Sequence, residues 1–387
     1  MRSTTVEAIN QFSARWAAIP PAGEPTVFSA ACAWPLLGLL AAAASGSVRD
    51  DLQGALGVPS EAAHDLAADV LTSLSDLPGV AAALGLWSRR DLPLRPQWTE
   101  SLPPGVVDLL SGDPEVDRER LDAWASEHTA GLIPAMPVQV KPSTVLVLAT
   151  ALALRTRWVH RFTDVPLTAS GGPWAPLGTL AGLRRGTGNL DDVTVLDTSA
   201  GAITRLRLEG DNSLDVHLVL GSPDVSVPEV LAAGISRPDG ITGSQLPLGA
   251  NAPGLTVEET TGPATDPELA VMTVLFTVRA EHDLLSSPAF GLQKAAEAGD
   301  HFPGISPDPL CVSEARQSAM AIFSAEGFEA AAITAVAMTR AHYVEPDKTR
   351  KTIRVTFDRP FGFYATHRAS GLVLAGGWVT DPSRWPG

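Results

Sequence analysis

The most regular alternation of side chains lies near the C-terminus, where residues 326–340 read EGFEAAAITAVAMTR. The five alanines in this segment favour a helix by propensity alone. Read with a period of two, the segment has one face that is small or apolar and free of charge: Phe328, Ala330, Ala332, Thr334, Val336 and Met338. Such a segment, without proline, can lie exposed as a loop and later join a sheet as an added strand.

Helical and strand patterns interleave along the rest of the chain. Apolar positions spaced three and four residues apart predict helices at residues 5–18, 48–56, 60–74 and 117–129. Residues 32–44 are apolar on all sides, which is typical of a buried helix. Apolar runs predict strands at residues 26–29, 80–87, 145–154, 204–208 and 214–220. Because no linker of distinct composition divides the chain, we expect one domain over residues 1–387.

Charge and cysteine content narrow the function classes. A net charge of −15 argues against a phosphate-binding surface, so we do not expect nucleic acid as a partner. Cys32 and Cys311 lie in apolar surroundings, which favours buried free thiols over a disulfide. The N-terminus has no apolar core of signal-peptide length, and no apolar run is long enough to span a bilayer. We therefore expect a cytoplasmic protein without a membrane partner.

The sequence carries no recognised catalytic motif. None of the eight histidines has HExxH spacing, and GxSxG, CxxC, P-loop and GxGxxG patterns are absent. We therefore expect no catalytic residues, no metal site and no cofactor. A hydrolase built from residues distant in the sequence is a remote alternative, which assays on ester and peptide substrates would detect.

Three segments together resemble one known family. The run EGFEAAAIT at residues 326–334 resembles the hinge of the reactive loop in serpins, which are protease inhibitors. VTFDRPFGFYA at 355–365 and LVLAGGWVTD at 372–381 are similar to the C-terminal signature and last strand of that family. The resemblance implies an α+β fold of about eight to nine helices around three β-sheets. It also implies a metastable state with an exposed reactive loop at about residues 326–352, whose conformational change inserts it into the central sheet.

The same resemblance assigns roles to individual residues. It implies a hinge formed by Glu326, Gly327, Phe328, Glu329, Ala330, Ala331, Ala332 and Thr334. It implies a sheet-opening region that contains Ser29, Cys32, Trp158 and Gln317. Several positions depart from the family pattern: Cys32 replaces a serine, Gln317 a histidine, Thr150 an asparagine, Thr156 a glycine and Phe328 a small residue.

Family spacing counted from Gly327 places the reactive bond at Ala341-His342, with Arg340-Ala341 as the rival. Alanine before the cut suits elastase-like or subtilisin-like proteases. Arg340 suits trypsin-like proteases, because an arginine needs a carboxylate in the protease pocket. Residues 343–351 resemble an insertion whose Lys348, Arg350 and Lys351 are further candidate cleavage points, or simply a solvated basic loop.

Two functions follow from the resemblance. The first is a monomeric suicide-substrate inhibitor of a serine or cysteine protease, which traps the acyl-enzyme by inserting the cleaved loop into the sheet. The alternative is a non-inhibitory binding, carrier or chaperone-like serpin, which Phe328, Cys32 and Gln317 favour. A large side chain at position 328 demands volume at the first point of insertion, where packing is already tight.

Overall fold

A computed structural model describes residues 1–102, 105–142, 144–236, 239–262, 265–328 and 348–386. The α-helices in these residues are α1 Ser3–Ala17, α2 Ala30–Ala43, α3 Gly46–Leu56, α4 Ser60–Ser75, α5 Pro96–Ser101, α6 Pro114–His128 and α7 Val227–Ile235. Short 3-10 helices cover Gly172–Leu177, Leu190–Asp192, Pro288–Phe290 and Lys294–Ala296.

The strands form three sheets. The central sheet contains β2 Val80–Arg89, β3 Val107–Leu110, β4 Leu146–Leu154, β5 Thr156–Arg157, β15 Phe276–Asp283, β16 Glu314–Phe323 and β17 Gly327–Phe328. The second sheet contains β1 Thr26–Phe28, β8 Val193–Thr198, β9 Gly201–Glu209, β10 Leu214–Leu220, β11 Gly240–Thr242, β19 Phe361–His367 and β20 Val373–Val379. The third contains β6 Thr163–Thr168, β7 Thr179–Thr187, β12 Asn251–Ala252, β13 Leu255–Gly262, β14 Glu268–Val274 and β18 Lys348–Thr356.

The seam of the central sheet lies between β4 and β16, which pair in parallel from Val147–Glu314 to Leu152–Ala319. Strand β2 lies antiparallel on the other side of β4, and β15 lies antiparallel on the other side of β16. Every residue of β4 is buried, because both faces of the sheet are covered. On one face a small core that includes Trp87, Leu121 and Val147 lies beneath α6.

The main core lies on the opposite face of the central sheet and fills the space toward the second sheet. Helix α2 runs through it, and every residue of that helix except Ala42 is buried. A helix that is apolar on all sides is kept from water only in such an interior position. Helix α2 thus connects the back of the seam with the rest of the molecule.

The structure confirms the predicted elements at residues 5–18, 26–29, 32–44, 48–56, 60–74, 80–87, 117–129, 145–154, 204–208 and 214–220 to within a few residues. Both cysteines are free, and Cys32 is buried as predicted, but Cys311 is only partly buried. The prediction of burial was wrong for Cys311, although its neighbours Leu310 and Val312 are both buried. In the described ranges, no helix combines the length and the apolar character needed to cross a membrane.

Candidate functional site

The upper end of the seam contains two residues of the predicted hinge, which form strand β17. Strand β17 pairs antiparallel with β16 through Phe328 and Phe323. On its other side β17 pairs antiparallel with β5, Gly327 with Arg157 and Phe328 with Thr156. Between this point and the β4–β16 ladder, residues 320–322 of β16 have no partner on the seam side within the described chain. Strand β17 therefore lies in line with the β4–β16 seam, at its upper end.

Phe328 is buried at this end of the seam, with 2% of its surface exposed. Its ring centroid lies 6.0 Å from that of Phe363 in the second sheet. Phe363 in turn contacts Phe276 at 5.2 Å, and Phe276 stacks on Phe323 at 5.1 Å. The ring of Phe328 thus already occupies a place in the main core. Insertion of further loop residues need not create space for it.

A tight turn at residues 324–327 leads the chain from β16 into β17. The Ser324 amide donates to the Gly327 carbonyl at 2.9 Å, and the Gly327 amide donates to Ser324 Oγ at 3.3 Å. A Cβ atom on Gly327 would lie 2.2 Å from the Thr156 carbonyl oxygen, so β5 leaves no room for a side chain there. Glu326 forms an ion pair with Arg161 at 2.8 Å, which is solvent-exposed enough to contribute little.

Trp158 holds the same turn from the side of β5. Its amide donates to the Glu326 carbonyl at 3.0 Å, and its indole Nε1 donates to the Ser324 carbonyl at 2.9 Å. The ring is 3% exposed and lies 5.1 Å from the Phe323 ring. Trp158 is therefore a buried aromatic residue, and its two hydrogen bonds hold the turn that leads into β17.

Gln317 joins the seam to helix α2 in the lower half of the sheet. Its Oε1 accepts from the Ser29 amide at 2.7 Å, and its Nε2 donates to the Ser29 carbonyl at 2.9 Å. The same Nε2 lies 3.3 Å from Thr150 Oγ1 on β4. Gln317 is 1% exposed, so these bonds form away from water. Two departures from the family pattern, at positions 150 and 317, thus contact each other, which sequence reasoning treated as separate features.

Ser29 caps helix α2 and ties it to the second sheet. Its hydroxyl donates to the Leu374 carbonyl at 2.6 Å and accepts from the Cys32 amide at 3.2 Å. The Cys32 Sγ lies 4.0 Å from the Ala151 carbonyl oxygen. Burial raises the pKa of the Cys32 thiol to about 12, so the thiol remains protonated at neutral pH and is a poor nucleophile.

The site residues are spread along the seam instead of forming a catalytic cluster. Six steps of strand β16 separate Gln317 from Phe323, which corresponds to about 20 Å at the usual rise of a strand. Several predicted site residues lie outside the described residues, namely Glu329, Ala330, Ala331, Ala332, Thr334, Arg340, Ala341 and His342. Within the described parts of the chain, no three His, Cys, Asp or Glu residues are placed to hold a metal ion.

The C-terminal limit of the predicted loop was wrong. Residues 348–352, which we assigned to the loop, belong to strand β18, which pairs with β13 from Lys348 to Val355 and with β14 from Thr352 to Thr356. Arg350 forms an ion pair with Glu268, and Lys351 Nζ donates to the carbonyls of Gly243, Ser244 and Leu246 at 3.0, 3.0 and 2.6 Å. These contacts hold both side chains in the third sheet, so Arg350 and Lys351 are not free cleavage points.

The fold and the seam define an α+β protein whose loop begins as a strand at the end of its own central sheet. A family model described as serpin (serine protease inhibitor) matches residues 7–168 and 269–382. The chain belongs to the serpin family. It is similar to serpin-Z6C of Oryza sativa subsp. japonica, with 25% identity over 433 residues that cover 99% of this chain and 97% of that protein.

Solved structures confirm the fold class. The thermophilic serpin tengpin in its native state superposes with a TM-score of 0.73 at 15% identity, covering 98% of this chain and 95% of tengpin. A thyroxine-binding globulin in complex with thyroxine gives a TM-score of 0.71 at 16% identity, covering 98% and 99%. At these identities the likeness concerns the fold alone. One of the two structures, the thyroxine-binding globulin, is a serpin fold in complex with a small ligand.

Proposed function

We propose that this protein is a suicide-substrate inhibitor of a serine protease, with cysteine proteases as a second target class. The observation that carries the proposal is the position of β17, which lies antiparallel between β16 and β5 at the end of the seam. A chain that continues from Phe328 in the same direction would form a new strand between β4 and β16. Such an insertion replaces the parallel β4–β16 ladder by two antiparallel ladders.

The hinge residues beyond β17 suit this insertion. Because Phe328 faces the main core, the period of two along a strand places Ala330, Ala332 and Thr334 on the same inward face. These side chains are small and uncharged, so the inserted strand could pack against helix α2 without burying a charge. The odd-numbered residues, which include Glu329, would face the side covered by α6.

The chemical step belongs to the target protease. Its nucleophile attacks a loop carbonyl and forms an acyl-enzyme, with release of the new N-terminus on the far side of the bond. If the freed loop enters the seam before water attacks the acyl-enzyme, the protease is carried along the sheet and remains covalently attached. Cleavage at Ala341-His342 implies elastase-like or subtilisin-like targets, and cleavage at Arg340-Ala341 implies trypsin-like targets.

The direct test mixes the protein with an elastase-like, a subtilisin-like and a trypsin-like protease and resolves the products on a denaturing gel. We expect a band with the summed mass of inhibitor and protease for at least one of them, because an acyl bond survives denaturant. The first residue of the released C-terminal fragment then distinguishes Ala341 from His342 as the residue after the cut. Cleavage by every protease without such a band would contradict the proposal.

A non-inhibitory binding protein is the second candidate, and the large side chain of Phe328 favours it. Replacing Phe328 by threonine separates the two. Because the ring is already buried against Phe363, insertion need not create space for it, and we expect Phe328→Thr to leave the yield of covalent complex within about twofold. A chain that forms no complex as wild type but forms one as Phe328→Thr would identify a hinge that blocks inhibition. The same gel provides the measurement.

A further inference from the structure

A cavity of about 380 Å³ lies between the second sheet and the loop that follows β6. Its walls come from the end of β10, the turn before α7, the start of α7 and the segment that precedes β19. Apolar side chains form most of the lining, among them Val219, Val225, Val227, Val230 and Phe361. Its volume falls at the lower end of the range of small-molecule pockets, about 300–1,000 Å³.

Two adjacent charged residues, Asp358 and Arg359, also line this cavity. They do not pair with each other or with any other charged side chain of the described chain within the 4.0 Å that defines an ion pair. Asp358 accepts, through Oδ2, from the amide of Ser170 at 3.0 Å and from its hydroxyl at 2.5 Å. Asp358 Oδ1 has no such partner among the described residues.

Arg359 likewise has a hydrogen-bond partner for only part of its side chain. Its Nη2 donates to the Gly221 carbonyl, and no further hydrogen bond of the guanidinium is formed within the described chain. Burial lowers the pKa of Arg359, and the nearby Asp358 carboxylate opposes that effect. A half-buried guanidinium with free N–H groups is a strong binding group for a carboxylate, because it can donate two parallel hydrogen bonds.

We propose that this cavity binds a small zwitterion with an apolar body, that is, an α-amino acid with a hydrophobic side chain. Arg359 receives the carboxylate, Asp358 receives the ammonium through its free oxygen, and the valine-rich wall receives the side chain. A simple carboxylic acid would satisfy Arg359 but would place its charge beside Asp358. A simple amine would have the opposite defect beside Arg359. Only a ligand that carries both charges uses the whole lining.

The proposal is tested by isothermal titration calorimetry on the full chain with L-phenylalanine as the probe. Two analogues lack one charge each: 3-phenylpropionate lacks the ammonium group, and phenethylamine lacks the carboxylate. We expect L-phenylalanine to bind and each analogue to bind at least about tenfold more weakly, since each loses one charge-assisted contact. Equal affinity for L-phenylalanine and either analogue, or no binding of L-phenylalanine up to about 10 mM, would overturn it.

Variants connect the binding to the named residues. Arg359→Gln and Asp358→Asn keep the size of the side chains, and each is expected to weaken L-phenylalanine binding by at least about tenfold. Arg95→Gln is the matched control, because Arg95 also donates to a backbone carbonyl, that of Pro303, but lies outside the cavity. Thermal denaturation of each variant establishes that it is folded. Unchanged binding in the folded Arg359→Gln variant would also contradict the assignment.

Discussion

Replacement of Ala332 by arginine is expected to convert the protein from an inhibitor into an ordinary substrate of its target protease. Phe328 faces the main core, and position 332 follows on the same face by the period of two along a strand. In an inserted strand the new guanidinium would be buried against α2 without a partner. Burying an unpaired charge costs several kcal/mol even after relaxation of its surroundings, so insertion would be slowed relative to deacylation.

Ala331→Arg is the matched control for this experiment. In an inserted strand, position 331 would lie on the other face, where a long side chain could direct its charge toward solvent beside α6. We expect Ala332→Arg to lower the yield of covalent complex at least about tenfold while cleavage of the loop continues, and Ala331→Arg to lower it much less. The yields are read from the denaturing gel, and the thermal stabilities of both variants should match, because position 328 and the described core are unchanged. An equal loss in both variants would mean that the inward face does not determine insertion.

The sequence was sufficient to predict the elements around the seam. The continuous apolar run that became β4 and the all-apolar segment that became α2 each require burial on every side, which is a strong constraint on where they can lie. Resemblance to the family then singled out Ser29, Trp158 and Gln317, which the structure brings to the seam and to the cap of α2. Their order along the chain was enough for this, because each belongs to a segment with a strong pattern of its own.

Other features depend on contacts between distant residues and could not be obtained from local patterns. The basic run that contains Arg350 and Lys351 has the composition of a solvated loop. It is a strand because Glu268 and three carbonyl groups lie opposite it. Burial of Phe328 likewise depends on Phe363, which lies in another sheet. The cavity next to Arg359 joins segments that are separated by well over a hundred residues in the sequence.

The contact between Gln317 and Thr150 is another feature of this kind, and it leads to the second large effect. Replacing Gln317 by leucine is expected to lower the free energy of unfolding by about 2–4 kcal/mol, because the buried amide of Ser29 loses its partner and the Ser29 carbonyl keeps only the Ala33 amide. An unsatisfied buried polar group costs about 1–3 kcal/mol, and leucine, although apolar and of similar size, offers no hydrogen bond in return. Unfolding in urea, followed by tryptophan fluorescence, measures the loss.

Two further variants show whether that loss comes from Ser29 or from the seam itself. Thr150→Val removes only the 3.3 Å contact with Gln317 Nε2, so we expect it to cost no more than about 1 kcal/mol. Gln293→Leu removes a glutamine whose hydrogen bond to the Ser286 carbonyl is exposed, and its effect should stay within about 0.5 kcal/mol. If Thr150→Val were as damaging as Gln317→Leu, the contact across the seam, and not the two bonds to the cap of α2, would account for the loss. That contact would then reinforce the β4–β16 ladder, and removing it should speed insertion of the loop.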